Sequence, residues 1–412
     1  MKVAIVDAHS TGRALVRALR DRGLSCVHVA SSPDMPEYFL RGFDPGEFEE
    51  NLPAEADPGA TAATLARIGV ERVVAGTESG VLLADRLAAR LGLPGNRPET
   101  SAARRDKVRM MQVAAAAGLR VPRGRSFTDA DEAARWFAAG GLTHAVVKPP
   151  SSAGSDNVHF CATAPEVARA ASAVLTADNL YGQANQRVLV QERLHGVEYY
   201  INSVSCGGRH RVAEIWRYTK GVGAGGNPVY DFEVPIEAGS PEGRALSGFT
   251  RRVLDALGVR SSAAHTEVMI TAAGPALIES GARLGGATLP SVVEKYSGVS
   301  QTSLLADTIA DPRCLDHFDD ESVSWSRTVR NVALVNHYPG TVRSLDWAAR
   351  LEALPSFAAM AHAASTGARL ERTTTLMDSP GFVYLAAENA GEIDNDYAEL
   401  RRWEREGLYT SP

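Results

Sequence analysis

Two glutamates in alternating apolar segments have the clearest chemical potential in this sequence. Glu267 lies in the segment 265–270, Glu279 lies in 276–280, and Ala-Ala-Gly-Pro at 272–275 predicts a tight turn between two strands. Both glutamates are equally distant from Ala273, so a hairpin should place them opposite each other or one position apart, on one face. Two carboxylates this close repel unless a cation separates them, and Mg²⁺ prefers such hard oxygen ligands. The alternative is a pair of solvated glutamates on an open sheet face.

An arginine follows the second glutamate closely. The run Glu-Ser-Gly-Ala-Arg ends at Arg283, and Gly285 and Gly286 come directly after it. An arginine beside two carboxylates could face a ligand that carries both a metal and anionic oxygens. The glycines would let the backbone approach that ligand closely. A surface arginine followed by turn glycines is the alternative.

A loop of small residues separates two predicted strands at positions 148–157. It reads Lys-Pro-Pro-Ser-Ser-Ala-Gly-Ser-Asp-Asn, so backbone N–H groups and the Lys148 ammonium could surround phosphates. The loop is not a Walker A motif, because it lacks Gly-Lys-Ser/Thr and no helix follows directly. An ordinary hairpin loop is the alternative interpretation.

A polar hinge interrupts the apolar pattern between positions 188 and 198. The sequence Val-Leu-Val-Gln-Glu-Arg-Leu-His-Gly-Val-Glu predicts a strand that runs into exposed main-chain groups and then into a second strand. Such groups could pair with an adenine edge, and Glu198 could accept hydrogen bonds from ribose hydroxyls. A plain connection between strands is the alternative.

These segments need a large α/β framework to position them. The chain has 412 residues, enough for two or three domains. Alternating strands and helices before residue 97 predict a doubly wound parallel sheet. One helix is predicted from Ala102 to Ala117, an α+β region follows to residue 325, and a mixed C-terminal region begins near 326. In that framework the aromatic residues Trp216, Tyr218, Tyr230 and Phe232 would either wall a pocket or pack in the core.

Composition excludes several classes of protein. The net charge of −6 argues against a general nucleic-acid or membrane-surface binder, and no apolar run is long enough to span a bilayer. The four cysteines are scattered and Asp7 interrupts the first apolar run, which predicts a cytoplasmic protein without a signal peptide. His9, His28 and His144 are isolated in sequence and lack metal-ligand spacing, so we expect structural roles for them. Neither a dinucleotide-binding glycine motif nor a Gly-x-Ser-x-Gly nucleophile motif occurs.

In this order, the motifs resemble those of the ATP-grasp superfamily over nearly the whole chain. The segments Gly-Thr-Glu-Ser-Gly at 76–80, Leu-Gly-Leu-Pro-Gly-Asn at 91–96 and Gly-Leu-Arg-Val-Pro at 118–122 look like its N-terminal domain and entry helix. The resemblance implies a preATP-grasp domain at 1–97, an ATP-grasp domain at 98–325 and a C-terminal α+β lid domain at 326–412. The ATP-grasp domain would comprise a small nucleotide lobe at about 120–195 and a central lobe at about 196–325.

The resemblance also assigns roles to single residues. Lys107 and Lys148 match the nucleotide-binding lysines, Glu267 and Glu279 match the magnesium ligands, and Arg283 would stabilise an acyl phosphate or tetrahedral adduct. The other implied ATP contacts are Ser152 and Ser155 in the flexible loop, the hinge residues Gln191, Glu192, Arg193 and Leu194, and Glu198 at the ribose. The implied cofactors are ATP and Mg²⁺, with two ions expected and Mn²⁺ as a substitute. Many relatives carry Asn as a further metal ligand where this chain has Gly281.

Within the superfamily, residues 265–267 and 279–283 look most like those of carboxylate–amine ligases of the L-amino acid (dipeptide) ligase group. The resemblance implies amide-bond formation through an acyl phosphate, with release of ADP and phosphate and with small carboxylates and amines as substrates. A homodimer is compatible with it, and the Ala- and Arg-rich composition favours a natural-product pathway. A purine-pathway ligase, a biotin carboxylase-like enzyme and a catalytically silent nucleotide-binding module are the remaining alternatives.

Overall fold

The computed structural model describes residues 1–40, 42–152, 154, 156–222, 228–286 and 288–410. Within those ranges, every helix is too short or too polar to cross a bilayer. The chain builds a four-stranded parallel sheet, a four-stranded antiparallel sheet and an eight-stranded antiparallel sheet, together with a two-stranded ribbon. The predicted α/β class is confirmed.

The N-terminal unit is a parallel sheet with the strand order β3-β2-β1-β4. Its elements are β1 Lys2–Val6, α1 Gly12–Asp21, β2 Ser25–Val29, α2 Glu37–Leu40, β3 Glu50–Leu52, α3 Pro58–Arg67, β4 Val70–Ala75 and α4 Val81–Leu91. The strands β1 and β2 and the second half of β4 are buried on both faces, as parallel strands under helices must be, whereas the edge strand β3 is only partly buried. At the carboxyl edge of the sheet the backbone of Gly76 lies against Asp7, where an added Cβ would approach the Asp7 carbonyl oxygen to 2.4 Å. Glycine is therefore required at this close approach.

A second unit follows as an antiparallel sheet with the order β5-β8-β6-β7, packed against two helices. Its elements, with the preceding entry helix, are α5 Lys107–Ala116, β5 Gly124–Phe127, α6 Ala130–Ala139, β6 Ala145–Lys148, β7 His159–Cys161, α7 Ala164–Thr176 and β8 Val188–Glu192. The helix predicted from Ala102 to Ala117 is not continuous. A 3-10 helix covers Pro98–Arg104 and α5 begins at Lys107, because the Asp106 carboxylate accepts hydrogen bonds from the N–H groups of Val108 and Arg109.

The largest sheet has the order β13-β12-β9-β10-β11-β14-β18-β16. Its central-lobe elements are β9 Val197–Cys206, β10 Arg209–Val222, β11 Pro228–Pro235, α8 Pro241–Ala256, β12 Ala263–Thr271, β13 Gly274–Gly281, α9 Pro290–Ser297, α10 Gln301–Ala310 and α11 Cys314–His317. The C-terminal elements are β14 Thr328–Ala333, β15 Gly340–Thr341, α12 Asp346–Glu352, β16 Phe357–Ala361, β17 Arg369–Leu370, β18 Phe382–Ala387 and α13 Ala390–Arg405. The sheet continues past residue 326, because Phe232 and Glu233 on β11 pair with Val332 and Asn331 on β14. The boundaries at 97 and 325 remain predictions.

Candidate active site

The two glutamates face each other across the β12–β13 hairpin. Glu267 is the direct register partner of Glu279, so the predicted opposition is confirmed. The strands are joined at Thr271 and Gly274, and a regular hairpin from that turn would have paired Glu267 with Ile278. A bulge at Ile278 shifts the register by one residue and brings Glu279 onto the same face as Glu267. The bulge therefore builds the acid pair.

The Glu267 carboxylate is ionised despite its burial. Burial alone would raise its pKa, but the adjacent His265 ring and the charges of Lys220 and Lys148 lower the pKa of Glu267 to about 2. The Nε2 atom of His265 lies 3.7 Å from Glu267 Oε1, and the Tyr218 hydroxyl donates to the same oxygen at 3.4 Å. A charged carboxylate beside a second carboxylate is the donor set that a divalent metal ion requires.

Two buried lysines lie beside the acid pair. The ammonium of Lys107 donates to the carbonyl of Ser152 at 2.7 Å and lies 2.9 Å from Glu279 Oε1. The Lys148 side chain is 8% exposed, and its ammonium has no hydrogen-bond or ion-pair partner in the described part of the chain. Burial and the charge of Lys107 lower the pKa of Lys148 to about 8. The site thus holds a buried ammonium that no carboxylate of the described chain contacts directly, which suits it to bind phosphate.

Arg283 is held by an acid from the N-terminal unit. Its Nε donates to Glu78 Oε2 at 2.9 Å, and its Nη1 donates to the carbonyl of Leu284 at 2.8 Å. Arg105 lies on the other side of the carboxylate, with Nη1 3.6 Å from Glu78 Oε1. Burial would raise the pKa of Glu78, but the charges of Arg283, Arg105 and Lys107 lower it. Glu78 therefore stays ionised between two arginines.

Sequence reasoning had assigned no role to Glu78. The only signal was an acid between glycines, in Gly-Thr-Glu-Ser-Gly directly after the buried strand β4. The structure also explains Gly281, because a Cβ there would lie 2.6 Å from Glu78 Oε2. The Glu78 carboxylate occupies the space that a side chain at position 281 would need.

The described part of the small-residue loop is tied to its surroundings by Asp156. The Ser152 hydroxyl donates to Asp156 Oδ2 at 2.6 Å, and the N–H of Leu180 donates to the same oxygen at 2.9 Å. Ser152 is buried next to Lys107, and its contact with a phosphate remains a prediction. Ser155 lies outside the described residues.

The hinge lies on the same cleft as the lysines. The N–H groups of Glu192 and Arg193 are bonded to the carbonyls of Arg123 and His144, whereas that of Leu194 has no partner among the described residues. The amide Nε2 of Gln191 is also buried and lacks a partner within the described chain. A donor buried without a partner carries a cost that a bound base would relieve.

Glu198 forms an ion pair that sequence analysis had not predicted. Both of its carboxylate oxygens accept from Lys220 Nζ at 2.8 Å. Glu198 still lines the cleft, and its role at a ribose remains a prediction.

One cleft with a volume of about 2440 Å³ is lined by the acid pair, Lys107, Lys148, Glu78, Arg283, Ser152, the hinge residues 191–194 and Glu198. Of the four aromatic residues, Tyr218 and Tyr230 line it, with ring centroids 4.9 Å apart, while Trp216 is in the core and Phe232 packs on Tyr397. Next to them the Tyr200 hydroxyl donates to Glu233 at 2.8 Å, and burial raises the pKa of Glu233 to about 7.

The histidines that are isolated in sequence are not isolated in space. The rings of His9 and His28 lie 5.7 Å apart, and His144 lies 5.9 Å from His195. Burial lowers the pKa of His28 to about 4 and also lowers that of His9, so both rings are neutral at pH 7.

Comparison with known proteins agrees with this geometry. The profile of the ATP-grasp (A) domain of phosphoribosylglycinamide synthetase matches residues 105–229. Dapdiamide A synthase of Enterobacter agglomerans is 29% identical over 407 residues, which cover 97% of this chain and 95% of that protein. The chain therefore resembles ATP-grasp proteins in sequence, over residues 105–229 for the profile and over nearly its whole length for the synthase.

Solved structures show the same fold. The L-amino acid ligase of Bacillus licheniformis superposes with a TM-score of 0.75 at 20% identity and covers 97% of both chains. The biotin carboxylase domain of the Hydrogenobacter thermophilus 2-oxoglutarate carboxylase, solved with ADP, its magnesium salt and bicarbonate, superposes with a TM-score of 0.62 at 14% identity. That match covers 94% of this chain and 86% of the other. The expected resemblance to ATP-grasp proteins is confirmed.

Proposed function

We propose that this protein is an ATP-dependent carboxylate–amine ligase that joins small molecules through an amide bond and releases ADP and phosphate. The observation that carries the proposal is the convergence of Lys107, Lys148, Glu267, Glu279 and Arg283 in one cleft. The likeness to dapdiamide A synthase and to an L-amino acid ligase supports amino acids as the substrate class.

The site residues fit ATP and a divalent metal ion. Lys148 offers a buried ammonium without a direct ion-pair contact, and Gln191 offers a buried amide donor without an acceptor, both among the described residues. Glu267 and Glu279 would hold Mg²⁺, or Mn²⁺ in its place, through hard carboxylate oxygens. The bound metal supplies charge neutralisation for the transferring phosphoryl group. Two ions are proposed, in line with the acids and the phosphates available as ligands.

The reaction requires two displacements. A carboxylate oxygen of the donor attacks the γ-phosphorus of ATP, the bond to ADP breaks, and an acyl phosphate forms. The amine nitrogen then attacks the acyl carbon, the bond to phosphate breaks, and the nitrogen loses a proton. Lys107 and Lys148 would hold the phosphate charge, and Arg283, oriented by Glu78, would stabilise the oxyanion. Positioning and charge therefore supply the catalysis.

The aromatic side of the cleft supports a pocket for the amino-acid substrates. Tyr218 connects this aromatic wall to the acid pair, because its hydroxyl donates to Glu267. The neighbouring Tyr200 donates to Glu233, so this carboxyl group lies beside the same wall. A carboxylate with a pKa near 7 can accept a hydrogen bond from an ammonium group or take a proton from it. The four free cysteines support a cytoplasmic location, and the natural-product setting remains part of this proposal.

A substrate panel tests the function. Pairs of amino acids are incubated with ATP and Mg²⁺, and phosphate release, the nucleotide product and the product mass are recorded. We expect ADP and an amide of the summed mass less water, and hydroxylamine should trap the donor acid alone as a hydroxamate. Predominant AMP would refute the acyl-phosphate mechanism. Turnover that depends on bicarbonate instead of an amine would favour the carboxylase alternative, and nucleotide binding without any turnover would favour a silent module.

The exposed residue Glu321 provides a matched control for the acid pair. Glu279→Gln and Glu321→Gln make the same chemical change inside and outside the cleft. Amide formation should be lost in the first variant and retained in the second. Equal activity of the two variants would show that the observed turnover does not depend on the acid pair.

A further inference from the structure

Two histidines and an aspartate converge below the cleft, at the carboxyl edge of the parallel sheet. Asp7 and His9 follow β1, and His28 lies on the neighbouring strand β2. One ligand atom from each residue lies within 4.8 Å of the others. All three side chains are buried, with exposed fractions of 0%, 2% and 7%.

The two imidazoles in this cluster lack partners. Nδ1 of His9 and Nε2 of His28 are buried and have no hydrogen-bond partner among the described residues. A buried polar atom without a partner costs free energy, so a nitrogen lone pair in such a place favours a bound cation or donor. The sides of the rings are packed by Phe43 and Phe48, which fix their orientation.

The aspartate is oriented as metal-binding carboxylates are. Its Oδ1 accepts from the N–H of Ser31 at 2.8 Å, and its Oδ2 accepts from the hydroxyls of Ser31 and Ser79, each at 2.5 Å. Hydrogen bonds of this kind hold a ligand in place and tune its basicity. These donors leave further lone pairs on the carboxylate.

We propose that Asp7, His9 and His28 bind a divalent transition metal ion of the zinc class, separate from the magnesium site. Two neutral imidazoles and one carboxylate suit zinc-class ions, and water would complete a tetrahedral shell. Ser10 and Thr11, which follow His9 in the chain, line the cleft.

The metal would stabilise a loop that supports the active site. Ser79, which donates to Asp7, is the neighbour of Glu78, and Glu78 holds Arg283. Fixing Asp7 therefore fixes the position of the Glu78 carboxylate. The bound metal ion would therefore have a structural role and would take no part in the reaction.

Cobalt binding tests the proposal, because Co²⁺ in a tetrahedral nitrogen-containing site absorbs strongly in the visible range. The full-length, untagged protein is treated with a chelator and titrated with Co²⁺ in excess Mg²⁺, which occupies the acid pair. We expect one equivalent of Co²⁺ with a tetrahedral spectrum, displaced by Zn²⁺. His9→Gln and His28→Gln should each weaken binding at least about 100-fold, since even indirect contacts contribute 10–100-fold.

Two control variants locate the bound metal. Glu279→Gln alters the acid pair, and His317→Gln removes an exposed imidazole, so both should keep the spectrum and its stoichiometry. Loss of the spectrum in Glu279→Gln would overturn the proposal. So would loss in His144→Gln, which would point to the His144–His195 surface pair.

X-ray absorption of the zinc-loaded wild type tests the ligand set even where a ring variant fails to fold. Two imidazole nitrogens and one or two oxygens would support the site. An oxygen-only shell, or the absence of tight binding by the wild type, would show that the cluster is a buried polar group solvated by water.

Discussion

Neutralising Glu78 should impair catalysis more than it impairs the fold. In Glu78→Gln the side chain keeps its shape and one hydrogen-bond acceptor but loses the charge that pairs with Arg283 at 2.9 Å and faces Arg105 at 3.6 Å. Arg283 then loses its nearest counter-charge, and the hydrogen bond that orients its guanidinium group is weakened. Because Glu78 comes from the N-terminal unit and Arg283 follows β13, the variant tests whether their contact positions the arginine that we propose to be catalytic.

The size of the effect follows from the type of bond that is lost. A hydrogen bond to a charged group contributes about 1.5–3 kcal/mol. If that energy is realised in the transition state, kcat should fall about 10–150-fold. Breaking a buried ion pair by changing one partner also costs about 3–5 kcal/mol of stability, so folding must be measured separately.

Asp85 provides a matched control. Its carboxylate pairs with Arg104 at 2.7 Å, and both side chains are buried, but the pair lies away from the residues that line the cleft. Asp85→Asn should therefore destabilise the protein about as much as Glu78→Gln while leaving kcat within about threefold of wild type. The assays are ADP release and hydroxamate trapping, with thermal unfolding of each variant. If the two variants lose activity in proportion to stability, the positioning role of Glu78 is refuted.

Four further outcomes are expected. Glu279→Gln should reduce kcat more than 100-fold without unfolding the protein, since indirect metal contacts alone contribute about 10–100-fold, and near-normal turnover at moderate Mg²⁺ would contradict the metal assignment. The value of kcat/KM for ATP should fall above about pH 8, as burial and Lys107 make Lys148 lose its proton there, and Lys148→Arg should abolish this decline. The free energy of unfolding should rise over the same pH range in which kcat/KM falls. In the unfolded chain Lys148 keeps its proton to higher pH than in the folded protein, so stability increases from pH 8 towards 10. Gly281→Ala should displace the Glu78 carboxylate and lower kcat. Gly248→Ala, where an added Cβ would meet open space, should leave kcat unchanged.

Local patterns predicted the elements that carry their own signals. The hairpin at 263–281 was predicted because alternating residues flank a turn segment, and the parallel sheet because buried strands alternate with helices. The break before α5 was missed, because Ala-rich sequence at 102–117 looks helical throughout, while the 3-10 helix ends at Arg104 and Asp106 caps α5. The C-terminal strands were predicted, but their pairing with β11 depends on contacts remote in sequence.

The residues of the candidate active site also differ in whether a local sequence pattern could predict them. The acid pair was found by symmetry around the turn, but its register depends on a bulge at Ile278 that the symmetry argument did not include. Glu78 lies 205 residues from Arg283, so no local pattern could join them. Likewise, His9 and His28 meet only because β1 and β2 are adjacent in the sheet.

The candidate active site contains buried polar and charged groups that lower the stability of the protein when no ligand is bound. Their presence argues that the site binds a charged ligand and uses it. An unpartnered ammonium at Lys148, an amide donor at Gln191 without a partner in the described chain and an ionised Glu267 are each unfavourable in a buried environment. Proteins keep such groups where function compensates for the lost stability. A silent module could hold a nucleotide with the hinge and one lysine, and it would have no need of the bulge that brings Glu279 opposite Glu267. The acid pair therefore favours phosphoryl transfer over binding alone.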